Sequence, residues 1–188
     1  MYIDLTCKIE KDNPVLLWAG QQAQKHIATG HVGTHIDVYE KTTIPLEYIQ
    51  SRGICFDVRD IQEINVADID LSKVEAGDFV IFYTGQTEKY VYGSKEYFAN
   101  HPCLSQELID NLISKKVHFI GIDTAGIRQG TEHEPADRKC ENHGIYVVEN
   151  LCNLNNLPTK ELQILCLWFE DKEMTGIRTR IIAKITKS

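Results

Sequence analysis

His31, Val32, Gly33, Thr34, His35, Ile36 and Asp37 place three side chains able to hold a metal within seven residues, and no regular backbone geometry lets all three meet. On a helix, His31 and His35 share a face while Asp37 points away. On a straight strand all three share a face, but the two histidines stand roughly 13 Å apart. A zinc-sized ion with metal–nitrogen bonds of about 2.0–2.1 Å needs the two imidazole nitrogens within roughly 3.5 Å of each other. The chain therefore has to bend inside the motif, and Gly33 is the residue whose backbone can do it. Ile36 and Val38 then read as a resuming strand. The bland alternative is a solvated loop with Asp37 as a cap; the Gly-Thr insert and the aspartate two residues beyond His35 favour half of a metal site.

The chain of 188 residues suits one domain, 1–188, with a well-buried core. A net charge of −7 without a Lys/Arg cluster argues against a nucleic-acid partner. The longest apolar run, Ile164 to Phe169, falls far short of the roughly 18 residues of a membrane span. Met1 to Leu5 shows no basic region ahead of an apolar core, so the expected location is the cytoplasm. Cys7, Cys55, Cys103, Cys140, Cys152 and Cys166 are scattered without a CxxC pair, which indicates neither a zinc ribbon nor a redox dithiol.

Along the chain, Tyr2 to Ile9 alternates like a strand, and Asn13-Pro14 is a turn signal. Trp18 follows in the stretch Val15 to Gly20. A short helix is expected near Pro45 to Ile49 and a strand at Ile54 to Val58. Phe79 to Tyr83 is the clearest buried strand, followed by a polar, tyrosine-rich loop through Gly93. Ser105 opens a helix over 106–115 with Leu108, Ile109 and Leu112 on one face, and Val117 to Asp123 is another buried strand. Strand, helix and strand with short links predict a βαβ unit and a partly parallel sheet. Thr131 to Asn142 reads as a charged segment, flexible over Glu132-His133-Glu134-Pro135, Ile145 to Val148 as a strand delivering Glu149, and Gln163 to Phe169 with Thr179 to Ile185 as a closing strand pair. The fold class is α/β.

With these segments in hand, the chain resembles the metal-dependent cyclase family that includes bacterial kynurenine formamidase. The likeness rests on the motif from His31 to Asp37, on Asp4-Leu5-Thr6, on Pro14 to Gly20, and on Thr84-Gly85. It also takes in Tyr97 to Ser105, Gly121-Ile122-Asp123-Thr124 and Val148-Glu149-Asn150-Leu151, all in the family's order. It implies a single domain of the swivelling β/β/α type with a mixed sheet. His31, His35, Asp37 and Glu149 are implied as metal ligands and Trp18 as a substrate contact. A homodimer or higher homo-oligomer is also implied, and the loop bearing Tyr90, Tyr92 and Tyr97 is a candidate interface.

Three positions depart from the family pattern. The proline and third histidine that normally continue the motif are Tyr39 and Lys41, and the second-metal histidine twelve residues before the glutamate is Asp137. Two readings stand. In one, a single divalent ion is bound and the Lys41 ammonium takes the place of the second, paired with Asp137, Asp37 or Glu149. In the other, Lys41 turns to solvent and Asp137 caps a helix or pairs with Arg138. His133, four residues before Asp137, is a further candidate ligand.

The expected function is hydrolysis of a small amide, formamide or cyclic amide through a metal-bound hydroxide, with one Zn²⁺ or Mn²⁺, a second ion remaining possible. Lys41, Asp137, or Glu149 acting from the metal's edge, are the candidate proton-transfer groups. The competing expectation is a non-catalytic relative that binds a small molecule or metal.

Overall fold

A computed structural model describes residues 1–158 and 162–185. The strands are β1 (Tyr2–Asp4), β2 (His35–Asp37), β3 (Gln50–Asp57), β4 (Glu63–Ile64), β5 (Phe79–Tyr83), β6 (Cys103–Leu104), β7 (Phe119–Ile122), β8 (Tyr146–Glu149), β9 (Leu162–Trp168) and β10 (Gly176–Lys184). The helices are α1 (Pro14–Gln21), α2 (Lys25–Gly30), α3 (Gln86–Lys89), α4 (Lys95–Phe98), α5 (Gln106–Lys115) and α6 (His133–Glu141).

Eight strands form one sheet in the order β1-β10-β2-β8-β7-β5-β3-β9, and β9 also pairs with β10. The last seven thus close into a ring, with β1 appended outside it. The pairings β3–β5, β5–β7 and β7–β8 are parallel, whereas β2, β9 and β10 join antiparallel. This is an α/β fold with a mixed, partly parallel sheet. The expected βαβ unit is β5, α5 and β7. Ser105 caps α5 by accepting from the Leu108 N–H at 3.2 Å, and Leu108, Ile109 and Leu112 are its buried face.

Alternation along the strands separates two apolar layers. Phe79, Ile81, Phe119, Val148, Ile164 and Ile181 fill the ring. Val80, Phe82, Ile120 and Val147 face outwards against α5 and α6, where Leu108, Ala136 and Cys140 cover them. Ile36 and Val148 belong to the inner layer, so their neighbours His35, Asp37 and Glu149 project from the outer face.

Several local expectations change. The first strand stops at Asp4, and beyond it only Thr6 bridges to Leu151. Pro14 to Gln21 is a helix, with Asn13 capping it and proline in its first turn. The tyrosine-rich loop contains the short helices α3 and α4. The charged segment contains α6, whose buried side carries Ala136, Asp137, Cys140 and Glu141. Glu132-His133-Glu134-Pro135, read as flexible, runs into its first turn.

Candidate metal centre

The bend demanded by the motif is present. Gly33 has φ +76°, and it turns the chain between the end of α2 and the start of β2. His31 Nδ1 and His35 Nε2 come within 3.2 Å. Each imidazole is fixed through its other nitrogen: His35 Nδ1 lies 2.8 Å from the Gly33 carbonyl oxygen, and His31 Nε2 lies 2.9 Å from Thr175 Oγ1. With those nitrogens carrying the protons, two lone pairs face each other, an arrangement that a cation between them stabilises. Gly176 makes room for this pose, since a Cβ there would stand 2.6 Å from His31 Nδ1.

Asp37 Oδ1 is 3.2 Å from His31 Nδ1 and 3.5 Å from His35 Nε2. Glu149 is the cross-strand partner of His35, with Oε2 3.5 Å from His35 Nε2. From the other side α6 contributes His133 and Asp137, four residues apart and therefore on one helix face. His133 Nε2 lies 3.2 Å from Asp137 Oδ2 and 3.2 Å from Glu149 Oε1. Two overlapping donor groups result: His31, His35 and Asp37, and Asp37, His133, Asp137 and Glu149.

Asp37, Asp137 and Glu149 are only 2–3% exposed, yet both oxygens of Asp37, both of Asp137 and Oε1 of Glu149 accept no hydrogen bond. The imidazoles approach these oxygens without the alignment a hydrogen bond needs. Buried carboxylates left so are costly unless a cation joins them. Burial, and then the neighbouring carboxylates, push Asp137 and Glu149 well above the usual range. Burial acts on Asp37 in the same direction but is outweighed by His35 and His31, which hold it well below. The donor set, imidazole and carboxylate around unpartnered oxygens, fits a divalent metal.

Lys41 is a correction. It has φ +54° in a turn where its N–H donates to the Val38 carbonyl, and this directs the side chain outwards. Its side chain is 43% exposed with the ammonium 3.9 Å from Glu173, and it pairs with none of Asp37, Asp137 or Glu149. Asp137 lies within α6, not at its cap, and Arg138 pairs with Glu40 and Glu134 instead.

Above the centre opens a cavity of about 750 Å³ lined by His31, His35, His133 and Glu149 together with Trp18, Tyr39, Tyr92, Lys95, Phe98 and Asn150. Trp18, 48% exposed, lines the same cavity as the metal ligands; the resemblance implies a substrate contact for it. Tyr39 stacks on His31, ring centres 5.7 Å apart, and Arg138 covers it at 5.5 Å.

A support layer was hidden from sequence reasoning. Asn150 donates to the Gly33 carbonyl at 3.1 Å and accepts from the Tyr97 hydroxyl at 2.8 Å. The Gly33 N–H donates to the Tyr92 hydroxyl at 2.7 Å. Thr34 Oγ1 donates to the Asn150 carbonyl and accepts from the Cys7 N–H, both at 2.7 Å.

Fold and centre together give an α/β chain whose clustered imidazoles and carboxylates fit a divalent metal. The chain belongs to the Cyclase family, described as "Putative cyclase", whose model matches residues 3–129. That match ends before His133, so three members of the second donor group, His133, Asp137 and Glu149, lie beyond it. No curated protein matches the chain. Among solved structures, a potential metal-dependent hydrolase with cyclase activity is similar over 97% of this chain and 96% of its own, at 20% identity and a TM-score of 0.77. Isatin hydrolase A from Labrenzia aggregata aligns over 100% of this chain and 94% of its own, at 20% identity and 0.80. A predicted metal-dependent hydrolase from Bacillus stearothermophilus aligns over 97% of each, at 19% and 0.73. At these identities the likeness concerns the fold. No helix among the described residues is long and apolar enough to cross a membrane.

Proposed function

We propose that this chain is a metal-dependent hydrolase of small amides, either a formamide on an aromatic amine or a cyclic amide of the kind named for its isatin-hydrolysing structural relatives. The observation that carries the reading is the set of buried, unpartnered carboxylate oxygens of Asp37, Asp137 and Glu149, facing three histidines on the floor of an aromatic-walled cavity. His31, His35 and Asp37 would hold one Zn²⁺ or Mn²⁺, and Asp37, His133, Asp137 and Glu149 offer a place for a second. When bound, such an ion acidifies water and polarises a carbonyl.

The chain's own residues do the rest. The Gly33 carbonyl and Thr175 hold the His35 and His31 rings in the tautomers that present a bare nitrogen to the centre. Trp18 and Phe98 offer flat faces to a planar substrate. Tyr39 keeps its proton on Oη, because burial and the surrounding carboxylates push the phenol upwards. It can therefore donate a hydrogen bond to a substrate oxygen or nitrogen. Asp137, expected from the sequence as a proton carrier, is read here as a ligand.

We further propose a homo-oligomer, supported by the exposed Leu17, Trp18, Val91 and Phe98 beside the cavity, which sedimentation would test. A cytoplasmic location accords with six free cysteines. For the hydrolase itself, the test is turnover of formanilides and lactams by protein of measured metal content. Activity should vanish with chelator and in His35→Ala. Turnover that survives both refutes the mechanism, and stoichiometric metal without any turnover favours a binding protein.

A further inference from the structure

Among the described residues that line the cavity, Lys95 is the only lysine or arginine, and Glu149, committed to the histidines, is the only acidic one. Among the described residues the Lys95 ammonium has no carboxylate partner. Its neighbour Glu96 lines a separate cavity with Asp60 and Lys89.

Although the Lys95 side chain is exposed, its base is fixed. Ser94 Oγ caps α4 by accepting from the Tyr97 N–H at 3.1 Å, and the buried Tyr97 hydroxyl reaches Asn150 at 2.8 Å. Asn150 in turn contacts the Gly33 carbonyl that orients His35. The lysine and the metal ligands are thus held in one frame. The cavity that Lys95 lines has a largely apolar wall, to which Val15, Trp18, Tyr92 and Phe98 contribute. Such a wall displaces water and strengthens an ion pair made across it.

We propose that Lys95 makes the cavity selective for aromatic substrates bearing a carboxylate remote from the scissile amide. The ring lies between Trp18 and Phe98, the amide at the centre, and the carboxylate on the Lys95 ammonium, a compact charge with three donors. This rests on the hydrolase reading for the position of the amide, but not for the affinity of the carboxylate.

The experiment compares 4-formamidobenzoate with its methyl ester as substrates of the metal-loaded protein. The acid-to-ester ratio of kcat/KM should fall about tenfold or more in Lys95→Ala and further in Lys95→Glu, and Lys95→Arg should restore most of it. An unchanged ratio overturns the proposal while leaving the hydrolase reading intact. If neither compound is hydrolysed, the proposal is decided by binding: quenching of tryptophan fluorescence should favour benzoate over benzamide, and Lys95→Ala should abolish the preference. Equal binding of the two by the parent protein, or a preference that survives Lys95→Ala, refutes it.

Discussion

Removing one oxygen from Tyr97 tests whether the metal ligands are held by the layer behind them. Tyr97 is fully buried, and its hydroxyl donates to Asn150 Oδ1 at 2.8 Å, with the Asp123 carbonyl at 3.1 Å. In Tyr97→Phe a neutral hydrogen bond worth about 1 kcal/mol is lost, and Asn150 Oδ1 is left buried without its donor, which costs about 1–2 kcal/mol more. A total of about 2–3 kcal/mol in a chain of this size lowers Tm by about 4–12 °C. The loosened Asn150 also releases the Gly33 carbonyl that orients His35, so affinity for Zn²⁺ or Mn²⁺ should fall about tenfold or more. Scanning calorimetry and a competitive chelator titration read the two effects separately. A variant melting within about 1 °C of the parent and binding metal equally well would refute the coupling.

Gly33→Ala should destabilise by about 2 kcal/mol or more, because a side chain at φ +76° is strained and its Cβ would stand 3.0 Å from Ile9; denaturant titration and metal content should fall together. Lys41→Ala should leave metal content unchanged and stability within about 0.5 kcal/mol, since among the described residues its ammonium pairs only with the exposed Glu173; loss of metal would restore Lys41 to the centre. In metal-free protein, Asp137 and Glu149 have raised folded pKa values, so the folded chain keeps protons that the unfolded chain gives up above about pH 4. Stability should therefore decline as pH rises from there through the folded values, and a divalent ion should flatten the slope. Urea unfolding with and without EDTA checks this, and chelated protein that gains stability over that range contradicts it.

Local signals in the sequence were enough for much of this. Phe79 to Tyr83 is a strand because a five-residue apolar run suits a position buried on both faces. The 106–115 helix follows from its serine cap and apolar spacing. The bend at Gly33 follows from the distance two imidazoles must cover. Contacts between distant segments were not legible: Thr175 and Gly176 seat His31 from 144 and 145 residues away, and nothing in their own neighbourhood marks them. Lys41 misled because its place in the motif suggests a ligand position while a left-handed turn carries its side chain away. His133 and Asp137 did carry a signal, the four-residue spacing of one helix face. Pro135 and the surrounding charges obscured the helix that gives this spacing its meaning.

The ring of strands also orders events in time. β10 pairs with β1, β2 and β9, and Thr175 and Gly176, at its entrance, seat the first histidine. A nascent chain synthesised as far as β8 carries His31, His35, Asp37, His133, Asp137 and Glu149, yet it can neither close the ring nor set the His31 ring in place. The first donor group therefore reaches its native geometry late in folding, after the closing strand has reached back across most of the chain. Pairings of such sequence separation form slowly, and until they do His31 lacks the seat that brings it against His35.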